Sequence, residues 1–144
     1  MTVLKRAMVL AAGFGVRMKP ITDSTPKPMV KVHGRPMIDR TIDRLVDAGV
    51  EHIVVNIHHL GDIIQEHLSK RDDVTIEFSP EDPILETGGG IAHALHMLDG
   101  EPFFACNGDA FWLNGSQDAL RRMLRHWHDD DMDALLMLHS TVDA

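Results

Sequence analysis

Residues 10–29, LAAGFGVRMKPITDSTPKPM, place two glycines, three cations and three prolines in one uninterrupted stretch. A connection that only reverses the chain needs far fewer residues, and loops of this length in compact domains are usually functional. Gly13 and Gly15 let backbone N–H groups approach an anion where a Cβ would stand in the way. Arg17, Lys19 and Lys27 bring the charge to neutralise it. Lys27 lies between Pro26 and Pro28, each of which fixes its own φ and biases its predecessor toward extended backbone. The lysine is therefore stiffly presented. The ligand chemistry that suits such a loop is a polyphosphate.

Two common phosphate loops do not fit. The order GxxxxGK[ST] is absent. Gly13 and Gly15 begin a GxGxxG, but Met18 stands at the third glycine and Pro20 follows, so the dinucleotide fingerprint fails. The stretch instead resembles the signature of the sugar-phosphate nucleotidyltransferases, G-x-G-x-R-[ML]-x-P-x-T followed by P-K-P. Here it reads Gly13, Gly15, Arg17, Met18, Pro20, Thr22, then Pro26-Lys27-Pro28.

The pattern along the chain is that of an α/β protein. Residues 7–11 form a short apolar run, read as a buried strand that feeds the glycine loop. A small strand at residues 30–32 precedes Gly34. Pro36 suits the first position of a helix whose apolar face is Met37, Ile38, Ile42, Leu45 and Val46, ended by Gly49. Residues 53–57 read as a strand, 62–69 as a helix, 74–78 as a strand, and 80–83 as a loop. A helix follows from about Thr87, its N-cap, through Leu98. Residues 102–106 are an apolar strand running into Asn107-Gly108-Asp109. Ser116 is the expected N-cap of the next helix, and residues 133–139 hold a last strand. Strands alternating with helices predict a mostly parallel, doubly wound sheet with helices on both faces. The resemblance implies that the first strand lies beside the one ending at Cys106. The glycine loop and Asp109 would then meet where the strand order reverses, the usual ligand crevice of such sheets.

The 144 residues read as one domain, 1–144, with 25% charged residues and a core of real size. A formal net charge of -8 argues against a nucleic-acid surface. Cys106 is the only cysteine, which points to a reducing, cytoplasmic setting. Lys5-Arg6 before residues 7–12 imitates a signal peptide, but the apolar run is short and meets Gly13, Gly15 and Arg17. No stretch reaches the roughly twenty apolar residues of a membrane span.

The resemblance implies a chemistry and its residues. A sugar 1-phosphate attacks the α-phosphorus of a nucleoside triphosphate, giving a nucleotide-sugar and pyrophosphate. Arg17 and Lys27 are the expected catalytic cations. Ala11, Ala12, Gly13, Gly15, Glu81, Thr87 and Gly88 are the expected nucleotide contacts, Asn107 reaches the sugar side, and Asp109 holds Mg2+. Asp109 could instead cap a turn, and the glycines at 88–90 could be only a flexible turn. The form ETGGG at residues 86–90 resembles the branch of uridylyltransferases acting on N-acetylmuramate 1-phosphate in peptidoglycan recycling. That favours UTP. Glu81 speaks the other way, because a carboxylate suits the two neighbouring donors of guanine, as in mannose- or heptose-phosphate guanylyltransferases. A non-catalytic nucleotide-binding module would keep the glycine loop and lose Arg17, Lys27 or Asp109; all three are present. The ten histidines lack metal-ligand spacing and read as packed or solvated side chains. Family members are longer, and a later segment supplies sugar contacts and a second metal carboxylate. The chain therefore reads as the nucleotide-binding portion, truncated at its C-terminal end.

Overall fold

The computed structural model describes residues 3–140. Four strands form a parallel sheet: β1 (Arg6–Leu10), β4 (His52–Ile57), β5 (Thr75–Pro80) and β6 (Phe104–Asn107), in the order β5-β4-β1-β6. A two-stranded antiparallel ribbon, β2 (Lys31–Val32) with β3 (Arg35–Pro36), interrupts the first crossover. Ala7, Met8 and Val9 on β1, and Ile53, Val54 and Val55 on β4, are fully buried. Such continuous apolar runs are the mark of strands covered on both faces.

The helices follow from apolar spacing. In α1 (Met37–Asp47), Ile38, Ile42 and Leu45 recur on one face and are fully buried. Gly49, at φ 102°, leaves the helix in a conformation that L side chains resist. In α2 (Gly61–Leu68), Ile64 and Leu68 point inward. Both helices pack with Ala7, Val9, Ile53 and Val55 on one side of the sheet, joined by Leu120 of α4 (Ala119–His126). The other side is covered by α3 (Glu86–Ala94) and the 3-10 turn Leu95–Met97, where Ala94 and Leu98 bury against Met8 and Val54. The chain winds β1, β4, β5 outward and returns to β6 on the far side of β1. Right-handed crossovers then place α3 opposite α1 and α2. The doubly wound sheet with two covered faces is the architecture that the strand–helix alternation predicts.

Three local expectations are corrected. Thr87 is not the N-cap of α3; Leu85 is, because the Glu81 carboxylate takes the Leu85 N–H at 3.0 Å and starts the helix two residues earlier. Ser116 does not cap α4. Asp118 does, its Oδ1 accepting from Arg121 N–H at 2.8 Å, while Asn114 Oδ1 accepts from Ala119 N–H at 3.1 Å. Residues 133–139 form no strand: no described strand pairs with them, and Leu136 and Leu138 stand 75% and 83% exposed. Apolar content invites a strand there, but a ladder needs a partner for its backbone groups.

A charged clip ties α2 to α1. Arg71, just after α2, bonds Asp43 at 2.9 Å and Asp73 at 2.6 Å, and lies 3.4 Å from Asp39. Partial burial works against the guanidinium charge, but Asp73 and Asp43 outweigh it and raise its pKa. The Arg71 hydrogen bond in turn holds Asp73 below the usual carboxylate range.

Candidate functional site

A crevice of about 840 Å³ opens beyond the carboxyl ends of β1, β4 and β6. This is the switch point of the sheet, where the strand order reverses between β1 and β6. A smaller cleft, about 360 Å³, lies at the other end beside Lys5, Arg6 and His52. Its two cations are spent internally: Lys5 pairs with Glu51 at 2.8 Å, and Arg6 bonds His52 and Asp99. In the large crevice Arg17 is exposed and has no ion pair among the described residues.

The glycine loop forms its floor. Ala11 and Ala12 are buried as they leave β1, while Gly13, Phe14 and Arg17 are exposed into the opening. Gly15 turns the chain at φ 62°, and its carbonyl accepts from the buried Thr22 hydroxyl at 2.7 Å. A Cβ on Gly15 would sit 2.9 Å from Thr22 Cγ2 and 3.1 Å from Lys27 Cβ. The absent side chain is therefore what lets the loop fold down onto the lysine. Arg17 lies in the 3-10 turn Val16–Met18 and lines the crevice. Lys19 does not: it turns to Asp23, 3.4 Å away on the surface.

Pro26 and Pro28 are buried, and Lys27 between them emerges half-exposed and forms an ion pair with Asp109. The contact joins the glycine loop to the end of β6. Gly108 makes it possible. Its N–H bonds Leu10 O at 2.8 Å, and a Cβ there would stand 3.1 Å from that oxygen and 3.3 Å from Pro28. The buried Thr41 hydroxyl of α1 then holds Ala110 O at 2.9 Å, fixing the turn that carries Asp109. Asn107 lines the same opening.

The opposite wall is β4, β5 and the start of α3. Asn56, only 3% exposed, accepts from Ala11 N–H at 2.6 Å and donates to Glu81 at 2.8 Å. Glu81 lines the crevice but is 4% exposed, and both its oxygens already accept from the protein. Thr87 lines the opening; Gly88, next along, lies exposed in the first turn of α3 with open space around it. Phe14 packs edge-on against His58 at 5.4 Å and beside His59 at 5.5 Å. His58 donates to Glu81 O at 2.7 Å and His59 to Thr22 O at 3.0 Å. These two histidines are braces for the loops.

The residues suit a magnesium ion held jointly with a substrate. Among the described residues no group of three His, Cys, Asp or Glu side chains could hold a metal alone. Asp109 is one part-exposed carboxylate on a strand-end turn. Mg2+ commonly binds through one or two carboxylates together with substrate phosphates, keeping several waters.

Sequence reasoning reached Arg17, Lys27 and Asp109, and the structure brings Lys27 to Asp109. It missed Asn56 and Thr41. The signal for Asn56 was a lone amide inside the apolar run IVVNI; Thr41 carried none.

The family model described as nucleotidyl transferase matches residues 6–143. The chain is 43% identical to N-acetylmuramate alpha-1-phosphate uridylyltransferase of Caulobacter vibrioides over 97% of its own length and 60% of the relative's. It is 49% identical to the protein of the same name from Neisseria meningitidis serogroup B, over 72% of this chain and 46% of that one. The solved structure of HddC from Yersinia pseudotuberculosis complexed with GMP-PN superposes with a TM-score of 0.74 at 29% identity, covering 88% of this chain and 55% of that one. The chain thus spans about half of the curated relatives it matches. A match that takes in both flanks of the crevice, from β1 past Asp109, shows that this chain belongs to the nucleotidyl transferase family.

Proposed function

We propose that this chain forms the nucleotide-binding part of a sugar-1-phosphate nucleotidyltransferase that uses UTP and N-acetylmuramate 1-phosphate. The observation that carries the reaction class is the meeting of Lys27 and Asp109 beside the glycine loop at the switch point. The uridine and N-acetylmuramate choice draws its support from the two uridylyltransferases above. The case for guanosine in this sequence was the carboxylate of Glu81, and that carboxylate is engaged by Asn56 and Leu85.

In the reaction a phosphate oxygen of the sugar 1-phosphate attacks the α-phosphorus. A new P–O bond forms, the bond from the α-phosphorus to the bridging oxygen breaks, and pyrophosphate leaves with the electron pair. The protein has little covalent work; positioning and charge neutralisation carry the catalysis. Arg17, exposed at the mouth, grips the β- and γ-phosphates. Lys27 leaves its pairing with Asp109 to neutralise the α-phosphate. Ala11, Ala12, Gly13 and Gly15 supply the backbone cradle, and Thr87 and Gly88 edge the nucleoside. Asn107 faces the sugar side. Asp109 would hold Mg2+, which when bound draws charge from the phosphate oxygens.

The test is pyrophosphate release from UTP with N-acetylmuramate 1-phosphate, run beside GTP with mannose 1-phosphate. Turnover with the first pair and Mg2+ is the expected result. Turnover with the second pair alone would reassign the substrate, and nucleotide binding without turnover of either pair would favour a regulatory module.

A further inference from the structure

The two walls of the crevice are connected through the protein interior by two side chains that sequence motifs do not link. Asn56 sits at the end of β4, between the glycine loop on one side and β5 on the other. Its Oδ1 accepts from Ala11 N–H at 2.6 Å, where the chain enters the glycine loop. Its Nδ2 donates to Glu81 Oε1 at 2.8 Å. Glu81 Oε2 accepts from Leu85 N–H at 3.0 Å, where α3 begins. The route from Ala11 to Leu85 is thus continuous. The backbone of Glu81 is also fixed, its N–H bonding Ile57 O at 2.9 Å and its carbonyl accepting from His58 at 2.7 Å. Gly90 of α3 closes over the pair; a Cβ there would stand 2.5 Å from Glu81 Oε1 and 2.9 Å from Asn56 Nδ2.

We propose that Asn56 and Glu81 are a positioning pair that sets the spacing between the phosphate-binding loop and the nucleoside wall, and that Glu81 does not read the base. This rests on the nucleotide site proposed above. The polarity of the chain is fixed: two backbone donors at its ends require an acceptor at each, and one internal donor joins the two side chains. A lone Glu81→Gln sets an amide N–H against either Asn56 Nδ2 or Leu85 N–H. A lone Asn56→Asp sets two buried carboxylates face to face. Combining them restores every bond with the central one reversed. The new carboxylate accepts from Ala11 N–H and from the new amide, whose oxygen accepts from Leu85 N–H.

The experiment is calorimetric titration of the 144-residue chain and the three variants with magnesium UTP and magnesium GTP, with hydrogen exchange at the Ala11 and Leu85 amides. Each single change is expected to weaken both nucleotides by the same factor, about tenfold or more. The double change is expected to return to within about threefold of the parent, a coupling that independent sites do not show. The ratio of UTP to GTP affinity stays constant throughout. A ratio that moves with Glu81→Gln overturns the proposal, because the carboxylate then reads the base. Single variants that bind like the parent, or a double variant no better than either single, overturn it too. A parent chain that binds neither nucleotide sinks the nucleotide reading, and amide exchange then decides the pair by itself. Protection at Ala11 and Leu85 lost in the singles and regained in the double supports it; unchanged protection refutes it. Where a single variant fails to fold, recovery of a folded double supports the pair and its failure to fold counts against it.

Discussion

Gly13 and Gly15 stand two residues apart and answer to different constraints. A Cβ on Gly13 meets nothing within 4 Å, whereas Gly15 holds φ 62° against Thr22 and Lys27. Gly15→Ala should therefore cost about 1–2 kcal/mol from the left-handed backbone alone, lowering the melting temperature and weakening UTP. Gly13→Ala should leave the melting temperature unchanged; if it also leaves UTP affinity unchanged, the loop backbone does not cradle phosphate. Arg17→Ala, Lys27→Ala and Asp109→Ala should each abolish turnover while the fold persists. Lys27 and Asp109 are part-exposed, so separating them costs about 1 kcal/mol or less in stability. Full activity after Arg17→Ala would remove it from the phosphate site. Cys106 is a control at the same scale: burial pushes its thiol up to about 11, so alkylation at pH 8 should be slow in the native chain and fast in denaturant. Arg17 and Lys27 were legible as candidates because they sit within a fixed-order motif, and Asp109 because it follows Gly108 at the end of an apolar run. Asn56 and Thr41 were not, because their partners lie 45 and 69 residues away and only the fold brings them close.

Among the elements, the buried strands and α1 could be read directly, since period and burial agree in them. The failures fell at ends. Where α3 starts is decided by Glu81 from a different element, and whether residues 133–139 become a strand depends on a partner and not on their own composition. The Arg71 clip between α1 and α2 yields a pH test. Asp73 titrates below its unfolded value, so its contribution is complete above about pH 3.9 and fades as the pH falls through the lower native value. Asp73→Asn should therefore lower stability at neutral pH by less than about 1 kcal/mol, the carboxylate being partly solvated. The gap between variant and parent should close in strong acid. Urea melts across the acid range would record it, and a gap that widened toward low pH would show that the pair does not stabilise the fold.

At the scale of the whole molecule, the strand order could be anticipated only through the family resemblance; periodicity alone gives elements and not their neighbours. The chain spans 60% of the Caulobacter relative. The 144-residue chain should bind magnesium UTP yet turn it over far more slowly than that relative, since holding the acceptor in line is worth roughly 7–11 kcal/mol of barrier. Equal rates would show that everything the acceptor needs lies within these residues. The sheet's two faces also differ in depth. The face under α1 and α2 rests on an extensive apolar core, whereas only four buried side chains, Met8, Val54, Ala94 and Leu98, anchor the face under α3 among the described residues. The crevice wall that meets the nucleoside is thus built on the shallower foundation. Opening free energies follow local burial, so α3 should exchange its amide hydrogens well before α1. Nucleotide would then act as a splint, slowing exchange in α3 while leaving α1 as it was.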